Sequence, residues 1–113
     1  MRRRLGAVPS APDGSRLPHW VAHLLQRLAA TVAQRAADRP AGSYTSQLLD
    51  AGITKVSQKV GEEAIEVVVA ANSEDAARLA SETADLLYHL LVLLQARGVP
   101  LDAVWRELDE RTR

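Results

Sequence analysis

The sequence predicts an all-α fold: an antiparallel bundle of about four helices, completed by dimerisation. Three observations lead there. Trp20, Leu24, Leu28 and Val32 recur at four-residue intervals with Val21, Leu25 and Ala29 beside them, a wide apolar stripe of helical period. Ile53, Val56, Val60, Ala64, Val67, Val68 and Ala71 make a second such stripe. Leu79, Leu86, Leu87, Leu90, Leu91, Leu93 and Leu94 make a third segment apolar on nearly all sides past Asp85. A helix of that kind is buried on more than one face. In a chain of 113 residues, which can enclose only a modest core, the second buried face reads as a subunit interface.

Taken in order, residues 1–18 are rich in Arg, Pro, Gly and Ser without periodicity and read as a disordered tail. Arg2, Arg3 and Arg4 form a basic tip, solvated or touching phosphate or another chain. The domain occupies residues 19–113. Its first helix is expected from Pro18 or His19 to Ala37, ended by the run Asp38-Arg-Pro-Ala-Gly42. The segment TSQLLDAG is a short helical piece with Thr45 or Ser43 as cap and Gly52 as terminator, a lid, linker or brace.

The next helix runs from Ile53 or Thr54 to Ala71. Val67, Val68 and Val69 alone would favour a strand, but the 14 residues before them keep a helical period and no turn intervenes. Asn72 is expected to break this helix, and Ser73 to cap its successor, which runs from Glu74 to Ala96 and stops at Arg97 and Gly98. The last helix begins with Pro100 at its first position and lays Leu101, Val104, Trp105 and Leu108 over the two helices before it.

Composition excludes several classes of function. Lys and Arg number 14, as do Asp and Glu, so the balanced charge argues against a general nucleic-acid binder. With no cysteine there is no disulfide, zinc–thiolate or thiol chemistry. No apolar run approaches the roughly 18 residues of a membrane span, and the basic start lacks the apolar stretch of a secretory signal, so the expected location is cytoplasmic.

The distribution of charge says more than its sum. Glu62, Glu63 and Glu66 fall within one turn of one helix, and Glu82 and Asp85 within one turn of the next. Both groups sit in otherwise apolar runs, where like charges repel and desolvation is costly. Fifteen residues separate Glu66 from Glu82, enough to end a helix, turn and return antiparallel, so the two groups can face each other. No matched set of lysines neutralises them. Oxygen-only ligands on helices suit Mg²⁺, with Mn²⁺ as the other possibility. Such a cluster holds one ion, or more with phosphate present. The metal would lower the pKa of a water and neutralise a diphosphate leaving group, while an uncommitted carboxylate accepts the proton. Gly61, just before the acids, leaves room for close approach to the backbone.

Around the acids stand candidate substrate contacts. Lys59 and Lys55 precede the cluster by one and two turns; Lys59, with Lys55, would meet phosphate, or Lys59 would only pair with Glu62 and Glu63 on the surface. His89 lies one turn past Asp85 and would bond substrate or a carboxylate, or be packed. Ser43 and Tyr44, with Thr45, form a polar loop suited to a phosphate or ribose, or simply a helix start. Tyr88 is expected to point elsewhere, and Trp20 and Trp105 to pack.

GSYTSQLLDAGITKVSQKVGEEAIEVVVAA followed by ETADLLYHLLVLLQARGV resembles the phosphoribosyl-ATP pyrophosphohydrolase family of histidine biosynthesis, within the wider MazG-type all-α nucleotide pyrophosphohydrolases. The resemblance covers about residues 20 to 110. It implies a MazG-like helical fold assembling as a homodimer, and Mg²⁺-dependent hydrolysis of phosphoribosyl-ATP to phosphoribosyl-AMP and pyrophosphate. It places Glu63 and Glu66 on the metal positions of EExxE, with Glu62 in support, and Glu82 and Asp85 on those of ExxD. Together with the proton transfer argued above, Glu62, Glu63 and Glu66 become the catalytic candidates. A phosphoribosyl-AMP cyclohydrolase, fused in many relatives, is expected as a separate chain. Pro100 stands where family members often carry a serine cap. Two other readings are a nucleoside triphosphate pyrophosphohydrolase of broader specificity and, outside enzymes, a helical dimerising module. The module explains the apolar third segment but not the acids.

Overall fold

Five α-helices follow one another: α1 (Leu24–Asp38), α2 (Tyr44–Ala51), α3 (Ile53–Ser73), α4 (Ala76–Arg97) and α5 (Leu101–Arg111). They come from a computed structural model that describes Val21 and residues 23–113. Among the described residues there is no strand, so the all-α expectation holds, with the short TSQLLDAG segment counting as a full helix. The expected tail, the helix start at Pro18 or His19, and Trp20 lie outside the described residues.

The core is small and aliphatic. Val32 of α1, Leu48 of α2, Val56 of α3, and Leu91 and Val92 of α4 are buried together. Leu25, Leu28, Leu49, Tyr88 and Leu94 pack around them. The most extensive packing joins α3 to α4, which are separated only by Glu74 and Asp75. This is the hairpin that the spacing of the acids permits.

The stripes are narrower than their composition suggests. On α3 the buried positions are Val56 and Ala70, while Val68 and Ala71 are exposed; on α1, Leu24 is exposed. Val56, Val60, Glu63, Val67 and Ala70, buried or half-buried, recur at helical spacing along α3, so residues a step around the helix face outward.

Local chemistry sets the ends. Ser43 caps α2, its hydroxyl accepting from the Ser46 amide at 3.2 Å. A single residue joins α2 to α3: Gly52, at φ 97°, a conformation that L side chains rarely adopt. Ser73 does not cap α4 as expected. Its hydroxyl donates back to the Val69 carbonyl, and the Asn72 amide to that of Val68, so α3 continues through both residues. Asp75 takes the capping role, its carboxylate accepting from the Arg78 amide at 2.9 Å. At the other end of α4, Gly98 donates to Gln95 O and Val99 to Leu94 O, the paired bonds of a left-handed glycine stop.

Pro100 stands just before α5, at its cap and not at its first position. The expectation that α5 covers α3 and α4 is not met: α5 makes only slight contact with the other helices, none of its residues is buried, and only Leu101 reaches the core cluster. Behind the Gly98 turn, Val99 and Pro100 are exposed, and Leu101 then joins α5 to the core cluster.

Candidate active site

The α3–α4 hairpin brings three carboxylates together. Glu63 of α3 and Glu82 and Asp85 of α4 each offer an oxygen within 4.8 Å of the others. Glu82 is buried, with 7% of its surface exposed, Glu63 is half-buried and Asp85 is exposed, so the group opens outward through Asp85. Carboxylates this close repel one another, and a bound cation would offset that repulsion. The donor set is oxygen only and comes from rigid helices, which fits a hard divalent ion such as Mg²⁺ or Mn²⁺.

The other two acids of α3 stand apart from this group. Glu62 and Glu63 are neighbours in sequence and therefore point about 100° apart around the helix. Glu62 is exposed and accepts from Gln58 Nε2 at 2.8 Å and from Lys59 Nζ at 3.3 Å. These bonds, Gln58 first, hold its carboxyl below the ordinary glutamate value. Glu66 is exposed one turn beyond Glu63. All three do not converge as their spacing allowed; Glu63 alone of them joins the acids of α4.

Lys59 pairs with two acids of its own helix. Lys59 bridges Glu62 and, at 3.8 Å, Glu63, and its hydrogen bond to Glu62 raises its pKa. Lys55 is exposed and acts on the cluster only through its charge on Glu62. Ser43 is occupied as the α2 cap.

Tyr44 and His89 do come together. The Tyr44 hydroxyl lies 3.0 Å from His89 Nε2, and the two rings meet edge to face. His89 is buried, and its Nδ1 lies 2.7 Å from the Asp85 carbonyl oxygen, which ties this pair to a residue of the carboxylate group. Tyr44 is 46% exposed. Its burial raises its pKa, opposed by Lys59 and reinforced by Tyr88, Glu63 and Glu62, so the phenol stays protonated.

Tyr88 does not point elsewhere. Its ring stacks on Tyr44 with centroids 6.2 Å apart, meets His89 edge-on at 5.0 Å, and its hydroxyl bonds that of buried Thr45. Arg78, to which the sequence pattern assigned no role, donates through its guanidinium to Glu82 Oε1 at 2.6 Å. A signal for it exists in the spacing: Arg78 precedes Glu82 by four residues on one helix.

A helical hairpin that gathers three carboxylates beside a hydrogen-bonded tyrosine–histidine pair defines an all-α protein with a candidate divalent-ion site. Comparison with known proteins makes the class specific. The phosphoribosyl-ATP pyrophosphohydrolase family matches residues 25–112. The chain is 58% identical over 82 residues to a phosphoribosyl-ATP pyrophosphatase of Azorhizobium caulinodans, covering 73% of this chain and 75% of that one. It is 52% identical over 90 residues to one of Metallosphaera sedula, covering 80% of this chain and 97% of the relative. A histidine biosynthesis bifunctional protein of Halalkalibacterium halodurans is 50% identical over 90 residues, and there this chain spans 43% of the relative's length. The chain belongs to the phosphoribosyl-ATP pyrophosphohydrolase family and is an enzyme of that family.

Proposed function

We propose that this chain hydrolyses phosphoribosyl-ATP to phosphoribosyl-AMP and pyrophosphate, as in histidine biosynthesis, at the carboxylate group of the α3–α4 hairpin. The observation that carries the siting is the convergence of Glu63, Glu82 and Asp85 beside the Tyr44–His89 pair. Family membership supports the reaction.

In this reading Glu63, Glu82 and Asp85 hold Mg²⁺, or Mn²⁺ in its place. The ion supplies positive charge for the diphosphate and a more acidic water. Glu82, buried and fixed, sets the inner wall, and Asp85 forms the open rim. Glu66, exposed one turn along α3 and outside the three-residue group, accepts the proton of the attacking water. Glu62, held in its charged form by Gln58 and Lys59, is a poorer base, and instead orients Lys59 towards phosphate. Tyr44 offers an exposed aromatic face and a hydroxyl to the nucleoside end, backed by His89.

The working protein is proposed to be a homodimer. Ile65, Val68 and Val69 of α3 and Leu87 and Leu90 of α4 are large apolar side chains left exposed, with Ile65 and Val68 each more than 60% accessible. A second copy covering them would explain both the apolar third segment and the small core. The substrate is made from ATP, which favours a cytoplasmic site of action, with a phosphoribosyl-AMP cyclohydrolase acting next.

Pyrophosphate release measured across a panel tests this reading. Phosphoribosyl-ATP with Mg²⁺ is expected to be the preferred substrate over ATP, dUTP and dCTP. Brisk hydrolysis of dUTP or dCTP with none of phosphoribosyl-ATP would instead make the chain a broader nucleotide pyrophosphohydrolase.

A further inference from the structure

The buried member of the carboxylate group already has a cation. Arg78 donates to Glu82 Oε1 at 2.6 Å and, through Nε, to Glu74 at 3.3 Å. Glu74 and Glu82 lie four residues to either side of it, so the guanidinium is shared between one carboxylate inside the candidate metal site and one outside it. The Arg78 side chain is half exposed, whereas that of Glu82 is 9% exposed. The arginine is therefore free to leave, and the carboxylate is not. A guanidinium is not deprotonated in proteins, so Arg78 is a permanent cation beside Glu82.

A divalent ion about 2.1 Å from a Glu82 oxygen would stand within a few ångströms of that guanidinium. At such a distance like charges repel strongly in a partly desolvated site. We propose that Arg78 is the resident counter-ion of the substrate-free site and competes with the divalent ion for Glu82. The chain thus binds its metal weakly alone and more tightly with a diphosphate-bearing substrate. The inference rests on the metal site proposed above. The sequence of events follows from charge: Arg78 withdraws towards Glu74 as the ion arrives. The diphosphate then offers the planar guanidinium fork a pair of anionic oxygens, which a carboxylate already shared with a metal cannot match.

Binding of Mn²⁺, followed by the loss of its free-ion electron paramagnetic resonance signal, tests this on the intact chain without reference to turnover. Arg78→Gln is expected to bind Mn²⁺ alone more tightly than wild type, by about two- to fivefold, the range open to one half-exposed ion pair. Arg78→Lys, which keeps the charge but not the fork, should fall between them. In the presence of an ATP analogue with a methylene bridge between the α and β phosphorus atoms, wild type and Arg78→Gln should converge. Arg78→Gln binding Mn²⁺ no tighter than wild type, with an unchanged circular dichroism spectrum, would overturn the competition while leaving the metal site standing. Wild type binding no Mn²⁺ with or without the analogue would remove both.

Discussion

The Tyr44 hydroxyl stands 3.0 Å from Nε2 of His89, while Nδ1 of the same ring is 2.7 Å from the carbonyl oxygen of Asp85. A carbonyl only accepts, so the neutral ring carries its proton on Nδ1 and leaves Nε2 to accept from the phenol. One face of the candidate site is thereby fastened through three residues from two helices. Tyr44→Phe keeps the ring and removes the donor. It is expected to raise KM for phosphoribosyl-ATP about fivefold and to change kcat by less than about twofold, because the role assigned to Tyr44 is binding and not charge stabilisation. Steady-state kinetics that show a large fall in kcat at unchanged KM would refute this assignment.

The carboxylates make a harsher prediction. Asp85→Asn and Glu63→Gln each remove a charge but little volume from the group. Both should lower kcat/KM on the order of 100-fold or more at saturating Mg²⁺, with the circular dichroism spectrum preserved. Gln58→Ala, which touches only Glu62, should lower it far less. Equal losses in all three would mean that Glu62 belongs to the metal site after all.

Glu62 also carries a pH signature. Gln58 and then Lys59 hold its pKa below the ordinary value. A lowered folded-state pKa contributes stability that is fully present above the unfolded-state value and is lost as pH falls through the folded one. Carbon-detected NMR titration of Glu62 should therefore show a midpoint below that of a free glutamate, and Gln58→Ala should move it upward. A midpoint insensitive to Gln58 would rule out the hydrogen-bond origin of the shift.

The Thr45–Tyr88 hydroxyl bond joins α2 to α4 behind this aromatic group. Thr45 is buried, so Thr45→Val leaves the Tyr88 hydroxyl short of a partner. Urea unfolding should show a loss of about 1 kcal/mol for Thr45→Val, a similar loss for Tyr88→Phe, and a double variant less destabilised than the sum. Full additivity would show that the two hydroxyls act independently.

Much of this arrangement is legible in the amino-acid order. The unbroken period from Ile53 to Ala71 and the spacing from Glu66 to Glu82 permit a helical hairpin with facing acids, and α3 and α4 form it. What stays hidden depends on geometry finer than a turn. Glu62, Glu63 and Glu66 share one turn, yet 100° per residue sends Glu62 to solvent and Glu63 to the cleft. Ser73 has the composition of a cap, but its hydroxyl finds a nearer acceptor in the Val69 carbonyl. The apolar face of α5 gives no clue to what lies opposite it, because amphipathic spacing identifies a buried face and not its partner. Tyr88 is one position from His89, and its closeness to Tyr44 arises only from the placement of α2 across α4.

Everything assigned to the site depends on Glu63, Glu82 and Asp85 together holding the catalytic divalent ion. Anomalous diffraction from crystals grown with Mn²⁺ and a methylene-bridged nucleotide analogue would locate that ion. A manganese peak is expected about 2.2 Å from one oxygen of each of the three carboxylates, with the diphosphate on the Asp85 side. A peak held by other residues, in crystals of protein that releases pyrophosphate from phosphoribosyl-ATP, would show the assignment to be wrong.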